Sequence, residues 1–485
     1  REGAVRGGAA GLTAKLRDEA LDALSIDLIE QILGAAGTAE GLVKKAFQKL
    51  GDRISNEQRE KVSRRVLGVA VLRVRLAFVV DWVDAVTLTN SSDPTLLNFI
   101  PEMIPLSSGV RDRPPRENAQ DLYAAYLLYE ERDPKTGEKQ RTETWPPLDF
   151  LPTERAALLR SVDPGVDVWP RVLERQTTEI VAAASSMPLW LIEMWTAQLC
   201  DPARSHGGLP LSEVQKLALC CNEIAPVTLR VNRLKLGDRQ ALIKVLADEE
   251  IKASFSKLCP WAVRLQEGRP PGGVWNLAAW RAGLFEVQDE GSQLVVLSTE
   301  AAPGETVIDY CAGNGGKTLA LAAMLANNGT VLAYDVEARR LKQLQGSLSR
   351  AGATCVETTD LARLQSDPAL LFRPSDGRGG ADCVLVDAPC SSTGVLRRHP
   401  SLRWTLTPEQ VAEFPALQLD ILHNASANVR AGGGLVYATC AINRGENEEV
   451  AEAFESAHPG FERWPFEERG SNRRALLPSI HDTDG

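Results

Sequence analysis

"TVIDYCAGNGGKTLALAAMLAN", Thr306 to Asn327, decides how the second half of the chain folds. "TVID" reads as a short apolar strand ending in an acid. A glycine-rich turn follows, and "KTLALAAMLAN" has the apolar spacing of a helix. The unit recurs downstream. "TVLAYD", "TCVETTD", "ADCVLVDAPC" and "GGLVYATC" read as strands. "EARRLKQLQGSLSRAG" and "TPEQVAEFPALQLDILHNASANV" read as the helices between them. Apolar strands alternating with helices predict a parallel sheet covered on both faces. The fold expected is α/β, a doubly wound Rossmann-like sheet. A small α+β domain and an all-α N-terminal domain precede it.

In such a sheet, ligands bind at the carboxyl ends of the strands, where strand order reverses. The first strand ends in the turn Cys311, Ala312, Gly313, Asn314, Gly315, Gly316, Lys317. The second ends in Asp335, the third in Asp360, the fourth in Asp387 and Cys390, and the fifth in Cys440. In the usual strand orders the first, fourth and fifth are neighbours, which brings the turn and the two cysteines into one crevice. The turn is not GxGxxG. It is not a P-loop either, because Cys311 stands where that motif needs its first glycine. What remains is a tight turn that lets backbone approach a ligand at a helix N-terminus. Asp335 stands where an acid holds ribose hydroxyls. Alone it does not separate a nicotinamide, an adenine nucleotide and S-adenosylmethionine.

Free cysteine is among the most buried residue types, and Cys355 and Cys383 read as core. Cys390 and Cys440 lie past the apolar part of their strands. Each taken alone is more simply a core thiol; together beside a nucleotide-type turn they read as a site. The nine cysteines of the chain include no CxxC pair, and no histidine makes a metal-ligand spacing with a cysteine. No metal is expected. The cysteines read as reduced thiols, which implies an intracellular protein, cytoplasmic or organellar.

The 485 residues are too many for one core. Residues 1–170 read as helices, with Gly37 as a stop and Ser55 and Gln58 as a capping box. Residues 175–282 mix strand ("VTLRVNRLK" and "GGVWNLAAW") and helix. The α/β domain is expected over 283–485. No run of about 18 apolar residues is present. The net charge of −10 argues mildly against a large nucleic-acid footprint, though a local basic groove escapes that average.

Five blocks, in order, resemble one family, the S-adenosylmethionine-dependent RNA cytosine-C5 methyltransferases. "LRVNRLK" resembles a signature of its small domain, and "FEVQDEGSQLV" the opening of its catalytic domain. "DYCAGNGGKTLALAA" resembles its cofactor loop, "DAPCSSTGVLRRHP" its first cysteine block, and "TCAINRGENEEV" its second. "VLRRHPSLRW" is closest to the bacterial 16S ribosomal RNA enzymes. More faintly, the N-terminal helices resemble the NusB-like RNA-binding domain those enzymes carry. Ser392 replaces a usual glycine or alanine, Ala441 a usual serine, and Gly313-Asn314 a usual Ala-Pro. The chain stops at "HDTDG", before the family's last strand.

The resemblance implies a reaction in which Cys440 adds to C6 of cytosine, because C5 is otherwise too weak a nucleophile to take a methyl group. It implies that Cys390 assists release of the adduct and that Asp387 binds the cytosine edge. It gives Cys311 through Lys317, Asp335, Asp360 and Asp387 to S-adenosylmethionine. Arg397, Arg398 and Arg403 are candidate phosphate contacts, with a solvated basic loop nearly as good a reading. The expected partner is ribosomal RNA, with transfer RNA possible, in a ribosomal subunit precursor. A monomer is expected. A ribosome-assembly factor with weak or lost activity is the alternative.

Overall fold

The computed structural model describes residues 16–34, 38–88, 114–130, 148–160, 177–201, 209–270, 272–360, 379–464 and 477–481. The chain divides into two compact units. One comprises Arg1–Asn222 with Pro400–Thr405, and the other Glu223–His399 with Leu406–Gly485. The expected stop at Gly37 and the expected boundary near residue 170 lie outside the described residues.

The first unit is helical. Its described helices are α1 (Asp18–Leu33), α2 (Ala39–Leu50), α3 (Asn56–Leu88), α4 (Pro115–Ala125), α5 (Thr153–Arg160), α6 (Thr178–Ser185), α7 (Leu189–Leu199) and α8 (Leu211–Cys220). The capping box opens α3 as expected. Ser55 Oγ accepts from Gln58 N at 3.2 Å, and Gln58 Oε1 accepts from Ser55 N at 3.1 Å. Val62, Val66, Val69, Leu76, Val80 and Val83 then recur at helical spacing and are buried. They share one core with Leu21, Ile26 and Ile29 of α1 and Leu122 of α4. Among the described residues no helix is long and apolar enough to cross a membrane.

The second unit holds two sheets. The smaller is antiparallel, in the order β2 (Ala253–Phe255), β3 (Ala262–Leu265), β1 (Thr228–Val231), β4 (Phe285–Val287). The larger runs β7 (Val356–Asp360), β6 (Thr330–Asp335), β5 (Thr306–Asp309), β8 (Ala381–Asp387), β9 (Val429–Ala438), every pair parallel. The order reverses at β5, where α/β sheets bind ligands. β5, β8 and β9 are adjacent, as expected.

The segment 175–282 contributes to both units. Its helices α6, α7 and α8 belong to the first unit and its strands to the second. The small sheet recruits β4 from beyond residue 282, and one apolar core joins it to the large sheet. Asn232, just after β1, donates to the backbone oxygens of Gly283 (2.7 Å) and Ala351 (2.8 Å). The extended reading of "GGVWNLAAW" is corrected, because the stretch is helical. Val274–Asn276 forms a 3-10 turn, and Ala278–Arg281 a short helix. The reason is a distant cap: both carboxylate oxygens of Glu249 accept from Ala278 N and Ala279 N, each at 2.8 Å.

The glycine turn after β5 leads into α9 (Gly316–Met324). Gly315 has φ +85°, and a Cβ there would lie 2.0 Å from Leu344 Cδ1. Gly315→Ala is therefore expected to cost about 1–2 kcal/mol in backbone strain alone. A lower melting temperature by calorimetry, with weaker binding of S-adenosylmethionine, checks this.

Candidate active site

The site is built by three strand ends. The parallel register of β8 and β9 sets Asp387 opposite Ala438. The chains beyond these residues therefore leave the sheet side by side, and they carry Cys390 and Cys440. The two sulfurs lie 3.2 Å apart. Gly394 N donates to Cys440 O at 2.9 Å, a second tie between the loops.

Ser392 lies between the thiols, with Oγ 3.4 Å from Cys440 Sγ and 4.0 Å from Cys390 Sγ. Its φ is +60°, the left-handed region that favours glycine. This accounts for the small residue usual there in the family the sequence resembles. The left-handed backbone sets its hydroxyl beside the Cys440 sulfur.

The two thiols ionise unequally. Hydrogen bonding from Cys390 pulls Cys440 down to about 7, against the opposing effect of burial; Ser392 and Lys317 help, and Asp387 opposes. The same hydrogen bond, with burial, pushes Cys390 well up. Cys440 is thus the thiol of the pair whose ionisation is eased, and Cys390 the one whose ionisation is opposed. The other strand-end cysteine differs. Burial and the nearby carboxylates push Cys311 strongly upward, so it stays a neutral thiol.

Asp387, at the end of β8, accepts from Lys317 Nζ at 2.6 Å and keeps about a third of its side-chain surface exposed. Lys317 belongs to the first turn of α9, so the ion pair spans from the glycine turn to the first cysteine loop. Asp335 is buried. Its oxygens accept from Gly313 N and Glu337 N, each at 2.8 Å, so it shapes the turn as well as facing it. Asp360 ends β7 in register with Asp335; its side chain lies outside the described residues. Among the described residues no three metal-ligating side chains gather.

The three predicted arginines do not form a phosphate-binding loop. Arg403 is fully buried, and its guanidinium donates to Cys221 O (3.0 Å), Asn222 Oδ1 (2.6 Å) and Ser186 O (3.4 Å). It braces the helical unit. Arg397 is also buried, 3.9 Å from a Glu223 carboxylate oxygen. Arg398 is partly exposed but engaged, donating to Asp289 Oδ1 (2.8 Å) and Pro226 O (3.1 Å). "RR" and "R" in a polar stretch look solvated in sequence. Their acceptors come from segments far away in the chain.

Other residues of the site carried no role in the sequence reading. Arg230 of β1 is buried and donates to Gly316 O at 2.6 Å, and also to Gln288 Oε1. It pins the first residue of α9. Thr318 donates to Asp309 Oδ2 at 2.7 Å, and burial pushes the Asp309 carboxyl up to about 6. Arg230 and Gln288 fall inside "LRVNRLK" and "FEVQDEGSQLV", so the signal was the block and not the residue.

The donor set fits S-adenosylmethionine. α9 starts at an exposed Gly316 with no side-chain cap, so its N–H groups suit the cofactor's carboxylate. Carboxylates at the ends of neighbouring strands suit its ammonium, sulfonium and ribose. Cys311 through Lys317, Asp335 and Asp387 would hold it. Fold and site together define a Rossmann-like methyltransferase that uses S-adenosylmethionine.

Comparison with known proteins agrees. Residues 296–485 match the family model described as 16S rRNA methyltransferase RsmB/F, and residues 187–270 match the ferredoxin-like domain of RsmF/B-like methyltransferases. A probable ribosomal RNA small subunit methyltransferase B of Bacillus subtilis (strain 168) is 32% identical over 343 residues, 68% of this chain and 71% of that protein. The ribosomal RNA small subunit methyltransferase B of Cronobacter sakazakii is 32% identical, over 60% of this chain and 63% of that one. The crystal structure of PH0851 superposes with TM-score 0.64 at 23% identity, over 97% of this chain and 98% of that one. That of a methyltransferase homologue from Pyrococcus horikoshii gives 0.52 at 24%, over 65% and 96%. The likeness to these structures is one of fold. The chain belongs to the RsmB/F family of 16S rRNA methyltransferases.

Ser392→Gly relieves the left-handed strain and removes the hydroxyl beside Cys440. The thiolate loses a hydrogen-bond donor, so Cys440 is expected to titrate higher than in the native protein. Its rate of alkylation by iodoacetamide against pH checks this.

Proposed function

We propose that this protein methylates C5 of a cytosine in ribosomal RNA through a covalent cysteine–C6 adduct. The observation that carries the reading is the thiol pair: two sulfurs 3.2 Å apart, one depressed toward neutrality and one pushed up. Covalent catalysis needs the attacking sulfur as a thiolate, and Cys440 is the thiol of the pair whose ionisation is eased.

In this reading Cys440 Sγ adds to C6 of a base that is unpaired or turned out of its helix. The electron pair of the C5–C6 bond becomes available at C5. S-adenosylmethionine supplies the methyl group, leaving as the thioether. Asp387 hydrogen-bonds the cytosine ring edge and stabilises the charge that develops there on addition. Lys317 orients Asp387 through their ion pair. After C5 loses its proton, the Cys440–C6 bond breaks and its electrons return to sulfur. Cys390, with its S–H aimed at that sulfur, stabilises the departing thiolate. Its position 3.2 Å away suits this role and not attack on the same carbon.

The helical unit would contact RNA, by the likeness of its sequence to NusB-type domains. The small-subunit methyltransferases among the relatives favour a ribosomal substrate over transfer RNA.

Cys440→Ala is expected to abolish methyl transfer from labelled S-adenosylmethionine, whereas Cys390→Ala should accumulate a protein–RNA adduct that survives denaturing electrophoresis. Full transfer by the Cys440 variant would overturn the covalent assignment; a native protein that binds RNA but transfers no methyl group would leave an assembly factor in its place. A pH profile gives an independent check. The reactive form is the thiolate, so kcat/KM should be full above the Cys440 value of about 7 and fall as pH drops through it.

A further inference from the structure

Between the two cysteine loops lies a buried carboxylate that the reaction scheme leaves unused. Glu446 stands six residues after Cys440 and is 1% exposed. One of its oxygens accepts from Ser391 N, next to Cys390, at 2.8 Å. The same oxygen accepts from Gln418 Nε2 at 3.0 Å, and Gln418 also donates to Pro389 O, just before Cys390, at 3.0 Å. The other oxygen accepts from Asn443 Nδ2 at 2.7 Å. Asn443 in turn joins Ser391 Oγ and Thr393 Oγ1, each at 3.1 Å. All the donors are neutral. Three neutral donors thus hold the carboxylate beside the Cys390 loop.

We propose that Glu446 is a positioning residue that ties the two cysteine loops together and biases the pair's proton toward Cys390. Its hydrogen bonds bolt the Cys390 loop to the Cys440 loop, which fixes the distance between the sulfurs. Its charge lies on the Cys390 side. An anion there opposes ionisation of Cys390, which biases the proton toward that sulfur. The direction of the Cys390 shift includes this repulsion. The other ionisable groups around the pair are Asp387 and Lys317, which act on Cys440 in opposite directions, and Tyr437. The Tyr437 hydroxyl donates to Glu446 O at 2.6 Å, and burial keeps it protonated. Among these carboxylates Glu446 is the one that bears on Cys390, where it adds to the larger effects of the Cys440 hydrogen bond and burial. The inference rests on the assignment of Cys440 as nucleophile, and it explains how that assignment is reinforced.

Glu446→Gln separates charge from scaffold. The amide keeps one oxygen for Ser391 and Gln418. Its NH2 meets Asn443, whose own amide can turn over, because the Ser391 and Thr393 hydroxyls each donate or accept. The ties survive and the charge does not.

The test is pulsed alkylation of the free enzyme with iodoacetamide through neutral pH, with each cysteine quantified by peptide mass spectrometry. In the native protein Cys440 should react first. In Glu446→Gln the ratio of Cys390 to Cys440 modification should rise about tenfold, one pKa unit of differential interaction. Glu446→Asp, which keeps the charge, should retain the native order. An unchanged ratio in Glu446→Gln whose melting temperature matches the native protein overturns the proposal. So does a native protein in which Cys390 reacts first, a result that needs no variant to fold. Methyl transfer by Cys440→Ala would instead overturn the nucleophile assignment and leave the alkylation ratio as it was, so the two failures are distinguishable.

Discussion

The site depends on one constraint, the parallel pairing of β8 with β9. Parallel strands deliver their carboxyl ends to the same edge. Their register sets Asp387 against Ala438, and three residues beyond Asp387 and two beyond Ala438 stand the two cysteines. Slip that register by one residue and every side chain of β9 changes face. A sulfur–sulfur approach of 3.2 Å would not survive it. The glycine turn, the Lys317–Asp387 pair and the polar bolt at Glu446 are refinements of a geometry that the ladder imposes first.

The second recurring theme is the buried charge satisfied mainly by neutral oxygens and amides. Arg230 holds Gly316 O, Arg403 holds Cys221 O, and Glu446 holds Ser391 N. Such groups are costly to bury and costlier to leave unpaired. Each therefore fixes its partners tightly. Burial lowers Arg230 and Arg403 to about 10, still far above neutrality, so both stay charged. The protein uses them where a loop must keep one position: the start of α9, the end of α8, and the junction of the cysteine loops.

Much of this was legible in the chain. The alternation of "TVID", "TVLAYD" and "ADCVLVD" with helical stretches predicted a parallel sheet, because strands buried on both faces must be apolar throughout. Strand ends are where the apolar run stops, so the turn at Cys311–Lys317 and the thiols Cys390 and Cys440 could be placed in one crevice before any coordinates. The arginines were misjudged for the opposite reason. Nothing local marks Arg403 as buried. Its acceptors are 181 to 217 residues away in the chain. "GGVWNLAAW" was misjudged because its cap, Glu249, lies about 30 residues upstream.

The sequence by itself determined the fold class, the site's edge of the sheet and the two candidate thiols. Those follow from apolar periodicity and from which residue types stand where it ends. Only the tertiary structure decided how the surroundings of the two thiols differ. Cys440 has the hydroxyl of a strained Ser392 and the Lys317–Asp387 ion pair about it, and the Cys390 loop has a buried carboxylate. Electrostatic bias is a property of distance and burial, and neither is written in the order of residues.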